Sequence, residues 1–215
     1  MTTDLAAIVV LAKAPVPGRV KTRLCPPCTP DDAAALARAA LVDTLAAVAA
    51  TPASRHVLVL DGAPGDWTPR GFEVVPQACG DLAARLAAAF VYVAGPALLV
   101  GMDTPQVTPA LLADARGRLE VGTADAVLGP ADDGGYWAIG LVEPTPSVFS
   151  GVPMSVATTG ALQLERLHEH GCRVDLLPQL RDVDRYADAA AAAHAAPATR
   201  FAAAFRAIDR KFQRA

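Results

Sequence analysis

The chain reads as an α/β protein: a three-layer α/β/α sandwich on a mostly parallel, mixed sheet. Three observations predict this. Short apolar runs alternate with longer stretches of helical composition along the whole sequence, the pattern of βαβ units. The runs are continuously apolar rather than alternating, as expected of strands covered on both faces. One connection, near residue 133, is too short to hold a helix, so one strand there is expected to run antiparallel. With 215 residues and no composition break, a single domain over 1–215 is expected.

The first strand is expected at Ala6–Ala12, followed by a proline-rich polar loop, Lys13–Pro30. Asp31 or Asp32 should open a long Ala/Leu helix to about Ala50, which Thr51-Pro52 ends. Strands follow at His56–Leu60 and Phe72–Val75, then a helix from about Gly80 to Val93, then a strand at Ala97–Val100. Thr108 is a natural N-cap with Pro109 at the first helical position, for a helix to about Leu119. Ala126–Leu128 and Tyr136–Leu141 are the next strands. Gln163–His170 sits in a helix ending at Gly171, and Cys172–Leu177 is the last strand. From about 187 to 213 the chain is expected to form a C-terminal helix. Phe201, Phe205, Ile208 and Phe212 fall there at helical spacing, to pack on the domain or, in the alternative, on a second copy in a homodimer.

Composition removes several classes. At 53% hydrophobic residues, the chain is not a disordered one. The longest apolar run, Phe90–Val100, is broken by Gly95-Pro96 and falls short of the ~18 residues of a membrane span. The start lacks a basic segment and Asp4 interrupts it, so a cytoplasmic location is expected. A net charge of −3 offers no electrostatic ground for nucleic-acid binding. Cys25-Pro26-Pro27-Cys28 has CxxC spacing, but no second ligand pair accompanies it and it does not open a helix directly after a strand; neither zinc nor thioredoxin-like chemistry is favoured.

Chemistry is concentrated in loops that follow strands. Lys13, Arg19, Lys21 and Arg23 supply four cations between Lys13 and Arg23, directly after the first strand, with Gly18 among them. Val20 stands where a P-loop needs glycine and no GxGxxG is present, so the loop reads as a cationic phosphate contact of another kind. Val100-Gly101-Met102-Asp103-Thr104-Pro105 and Gly129-Pro130-Ala131-Asp132-Asp133-Gly134-Gly135-Tyr136-Trp137 each place carboxylates after a strand. Carboxyl ends of parallel strands are where open α/β sheets bind ligands. Acids beside glycines there suit a divalent cation holding a phosphorylated substrate. Gln77 is placed to meet a nucleobase edge, Asp81 reads as a helix cap, and Asp182-Val183-Asp184 offers further carboxylates.

The loop PGRVKTRL, the QxxGDL segment from Gln77, the GMDTP motif from Gly101, GPADDGGYWAIGL from Gly129 and the late DVD from Asp182 resemble the DUF2064 family. That family lies within the nucleotide-diphospho-sugar transferase superfamily of GT-A fold, and the motif order covers roughly residues 6–186. The resemblance implies a Rossmann-like GT-A domain binding a nucleotide or nucleotide sugar with Mg²⁺ or Mn²⁺. It implies Asp103 as the metal-binding acid, Arg19 and Lys21 on the phosphates, and Asp133, Gly134, Gly135 and Tyr136 on the acceptor side. The chain departs from many relatives where Met154-Ser155-Val156-Ala157-Thr158-Thr159 replaces a Trp-Ser-Thr-like segment.

The leading expectation is a metal-dependent transferase joining a nucleotide-activated donor to a small-molecule acceptor, glycosyltransferase-like because the loop after strand one carries Pro15 and Pro17 and only Gly18. Nucleotidyl transfer from a nucleoside triphosphate with pyrophosphate release is the alternative. A non-catalytic nucleotide-binding module is the rival of another class. Asp133 or Asp132 is the expected general base on the acceptor. A phosphatase with an early DxD is disfavoured, since the first strand holds no aspartate.

Overall fold

The computed structural model describes residues 5–213; the N-terminal start on which the leader reading rests lies outside them. Among these residues seven strands form one sheet: β1 (Ala7–Lys13), β2 (His56–Asp61), β3 (Glu73–Pro76), β4 (Ala97–Gly101), β5 (Ala126–Pro130), β6 (Tyr136–Leu141) and β7 (Val174–Leu176). Their order is β3-β2-β1-β4-β6-β5-β7. Every pairing is parallel except those of β6, which runs antiparallel to both β4 and β5. The short connection after β5 thus has the consequence its length predicts, and β6 is threaded between two strands that precede it.

The described residues also form six helices, α1 (Pro30–Ala49), α2 (Leu82–Val93), α3 (Pro109–Glu120), α4 (Thr159–Glu169), α5 (Tyr186–Ala195) and α6 (Arg200–Phe212). Local chemistry sets their starts. Thr29, ahead of the expected Asp31 or Asp32, caps α1 in a reciprocal box with Asp32, and Pro30 takes the first helical position. Asp81 caps α2 and Thr108 caps α3. One core packs Ile8, Val10, Leu58, Leu98 and Val127 with α1 and α3; another packs Val9, Val57, Leu99 and Ile139 with α2 and α4. Alternate residues of each central strand therefore point into opposite cores, which is why the runs are apolar throughout.

The expected single C-terminal helix is two. Pro197 cannot donate to a continuing helix and disfavours helical geometry at Ala196, which sits at φ −128° and ψ 65°. Thr199 then caps α6. Phe201, Phe205 and Ile208 are buried with Leu24, Leu36 and Val183 in a third cluster, so the phenylalanine face is covered by the chain's own α1 and α5. No helix among the described residues is long and apolar enough to cross a membrane.

The register positions the site. Leu11 pairs with Gly101 and Val100 with Ala138. The ends of β1, β4 and β5 and the start of β6 therefore share one edge, with the chain order reversing between β1 and β4, the switch point at which such sheets bind ligands.

Candidate active site at the sheet edge

A cavity of about 520 Å³ opens at this edge. Its cationic wall comes from the loop after β1. Gly18 makes the turn at φ 74°, and a short 3-10 turn, Thr22–Leu24, anchors the loop through fully buried Leu24. Between them Lys21 takes left-handed geometry, φ 51° and ψ 37°, which costs a non-glycine residue about 1 kcal/mol. Its Nζ lies 2.8 Å from Asp103 Oδ2, with the lysine side chain only 9% exposed. Lys13, Arg19 and Arg23 also border the cavity. Arg23 donates to Asp184 Oδ2 at 2.6 Å. Gly18 shapes the loop without bordering the cavity.

Asp103 follows β4, and its backbone carbonyl accepts from the Val183 N–H at 3.0 Å, tying this loop to the Asp182-Val183-Asp184 segment. Its Oδ1 is buried with no hydrogen-bond partner, as is the Thr104 hydroxyl. Asp182 borders the same cavity. Burial, reinforced by the charges of Asp133 and Asp103 and opposed by Lys21, pushes its carboxyl up to about 6.

The Gly129–Trp137 segment separates its two acids. Asp133 borders the cavity, and its Oδ1 accepts from the Gly135 N–H at 2.8 Å, an Asx-type turn. Asp132 does not border it: Oδ1 accepts from Gln179 Nε2 at 2.8 Å, and Oδ2 pairs with Arg181 at 2.9 Å. The expectation that Asp132 can serve the site is corrected; of the two acids only Asp133 borders the cavity. The acceptor-side place expected for Gly134 is corrected too. Gly134, at φ +86°, would put a Cβ 1.9 Å from the Ala157 carbonyl oxygen, and its own carbonyl accepts from Gly160 N–H at 2.8 Å. Its missing side chain makes room for another stretch of chain, not for a substrate. Gly135 and Tyr136 do border the cavity. The Tyr136 hydroxyl donates to Gln163 Oε1 at 3.2 Å, and burial raises its pKa.

Gln77 borders the cavity but is not free to meet a base edge. Its amide donates to the Ala12 carbonyl at 2.8 Å and the Val59 carbonyl at 3.4 Å, and its oxygen accepts from Arg85. It fastens together the ends of the first three strands. Arg85 and Met154 also border the cavity, and sequence reading had not singled either out. Arg85 follows Asp81 by one helical turn, a spacing that returns it to the helix end from which ligands are met. Met154 carries no local signal.

Among the described residues, no three His, Cys, Asp or Glu side chains converge as a metal cage. The unpartnered Asp103 oxygen does fit a hard dication of the kind held by one or two carboxylates, with substrate phosphates completing the shell.

An α/β sheet of this topology with acids and cations at its switch point has the GT-A-like fold of nucleotide-diphospho-sugar transferases and nucleotidyltransferases. The family is DUF2064, "Uncharacterized protein conserved in bacteria", whose model matches residues 33–156, and the chain belongs to it. That match takes in the Asp103 and Asp133 motifs and leaves the cationic loop outside. A crystal structure from Desulfovibrio desulfuricans, provisionally described as a nucleotide-diphospho-sugar transferase, is similar at 26% identity over 98% of both chains, with a TM-score of 0.87. Rv0371c from Mycobacterium tuberculosis, solved with manganese, is similar in fold at 24% identity and TM-score 0.51, over 89% of this chain and 98% of that one. So is 4-diphosphocytidyl-2C-methyl-D-erythritol synthase from Anaerococcus prevotii, at 9% identity and TM-score 0.57, over 88% and 95%. Comparison with curated proteins finds no match.

Proposed function

We propose that the chain is a metal-dependent, glycosyltransferase-like nucleotide-diphospho-sugar transferase, working as one domain in the cytoplasm on a small-molecule acceptor. The observation that carries this reading is that Arg19, Lys21, Asp103 and Asp133, from three separate loops, border one cavity at the sheet's switch point. The description of the Desulfovibrio relative supports the reaction class, and the manganese bound to Rv0371c supports the cation.

In this reading Arg19 and Lys21, with Lys13 and Arg23 behind them, hold the donor phosphates. Asp103 would hold Mg²⁺ or Mn²⁺, which would supply positive charge beside the departing diphosphate. Asp133 takes the proton from the acceptor hydroxyl, beside Gly135 and Tyr136. Asp182 is a second reading for that base, since it borders the same cavity and burial raises its carboxyl to about 6. Nucleotidyl transfer remains the second reading of the reaction, favoured by Arg85 as a fifth cation at the cavity, enough for a triphosphate.

The test is a thermal-shift screen of nucleotides and nucleotide sugars with and without Mn²⁺, on the protein and on Asp103→Asn. A ligand at 100 times its dissociation constant adds about 2.7 kcal/mol. The expected result is a Mn²⁺-dependent shift by a nucleoside diphosphate or its sugar, absent in Asp103→Asn. A shift unchanged in that variant would move the metal elsewhere, and binding without any turnover would favour a non-catalytic module. Among active donors, release of nucleoside diphosphate supports glycosyl transfer and release of pyrophosphate supports the alternative.

A further inference from the structure

Lys21 and Asp103 form an unusual pair for a site that is to hold a cation. The ammonium is 2.8 Å from Asp103 Oδ2 and almost sealed from solvent, so the carboxylate already has a monovalent counter-ion. Its other oxygen is buried without a partner. Each partner's loop is fixed, that of Lys21 by Leu24 in the core and that of Asp103 by its carbonyl bonded to Val183. Lys21 itself is held in a left-handed backbone conformation, which non-glycine residues adopt where the surroundings impose it. Arg23, the next cation along, is already paired with Asp184.

We infer that Lys21 closes Asp103 to free divalent cations and releases it only to a phosphate, so that cation and phosphorylated ligand enter together. The inference rests on the reading of the site as a nucleotide and metal site. A dication approaching the unpartnered oxygen alone meets the ammonium within a few ångströms, and no three acidic, His or Cys side chains among the described residues converge there as a cage to offset that repulsion. A diphosphate changes both terms. It offers Lys21 another anion and offers the cation further oxygens. Lys21 thus couples two ligands, and coupling between binding free energies is reciprocal.

The experiment measures Mn²⁺ binding by the electron paramagnetic resonance signal of free Mn²⁺, on the whole protein without turnover. ADP, GDP, CDP and UDP are added in turn. Wild type should bind Mn²⁺ alone weakly and at least tenfold more tightly with the nucleotide it accepts. Lys21→Met should bind Mn²⁺ alone at least tenfold more tightly than wild type, and nucleotide should then add much less. Adding Asp103→Asn to that variant should abolish the gain, which locates it. Lys21→Gly, which suits the left-handed backbone, repeats the test should the methionine variant misfold. Equal Mn²⁺ affinity in wild type and both Lys21 variants would overturn the inference. So would a wild type whose Mn²⁺ affinity ignores a nucleotide it binds, a result that leaves the functional reading standing. Tighter Mn²⁺ binding in the variants with no nucleotide binding in any protein would uphold the closure by Lys21 while removing the functional reading.

Discussion

The turn after β4 and the turn after β5 leave the same edge of the sheet, and both carry aspartate, yet their carboxylates meet different fates. Asp103 has one oxygen on a buried lysine and the other unpartnered. In the second turn, Asp133 faces the cavity while its neighbour Asp132 is held by Gln179 and Arg181 behind it. A carboxylate with open valence at a cavity is equipped for a ligand; one closed by protein groups is equipped to hold a turn. The comparison teaches that adjacency of two acids says little about shared chemistry.

The largest effect that would break this contrast is catalytic. Asp133→Asn should leave donor affinity near wild type and lower turnover by about 100- to 10,000-fold, the span of general-base contributions. Asp132→Asn should leave turnover within a few-fold. Steady-state kinetics on the donor found by screening checks both, and reversed effects would exchange the roles of the two acids. Should turnover survive in Asp133→Asn, Asp182→Asn is the next variant to assay.

The backbone of the two turns differs as well. Gly134→Ala must fit a methyl against the Ala157 carbonyl at a positive φ, and should lose about 3 kcal/mol. At this chain length that corresponds to about 6–12 °C in Tm. Gly101→Ala, whose nearest neighbour is the Trp137 carbonyl oxygen at 3.9 Å, should stay within about 1 kcal/mol. Calorimetry or thermal denaturation separates them, and equal losses would mean that the second turn yields.

A smaller effect lies in pH. Folding raises the Asp182 carboxyl from 3.8 to about 6, so the folded state binds the extra proton between those values. Stability from this group is full below about 4 and is lost as pH rises through about 6. Allowing for partial exposure, the swing is about 1–2 kcal/mol. Denaturant midpoints of wild type should therefore fall from pH 4.5 to 7 relative to those of Asp182→Asn; parallel profiles would remove Asp182 as the titrating group.

The smallest expected change is in the stability of Asp132→Asn. Its half-exposed pair with Arg181 is worth about 0.2–1 kcal/mol, and its hydrogen bond to Gln179 can persist through the amide oxygen. A loss above about 2 kcal/mol in chemical denaturation would show that Asp132 holds far more of the edge than its partners suggest.

The sequence by itself determined the order of strands and helices along the chain and most of their limits, because those signals are local. The apolar run of β1, the Thr108-Pro109 start of α3 and the Gly171 stop after α4 act within one turn or one strand. It also placed Lys21, Asp103 and Asp133 in loops that follow strands, and so at one edge of any parallel sheet. Pro197 was equally legible as a helix break, but the alanine run around it masked the signal.

Tertiary structure alone decided what those side chains meet. Asp132 is turned away from the cavity by Gln179, 47 residues distant, and Gln77 is held by carbonyls of two neighbouring strands. Gly134 owes its identity to a loop that reaches it from Ala157, and β6 enters between β4 and β5 against chain order. No spacing rule reaches that far, because a side chain's direction and open valence depend on groups that packing brings together from distant parts of the chain.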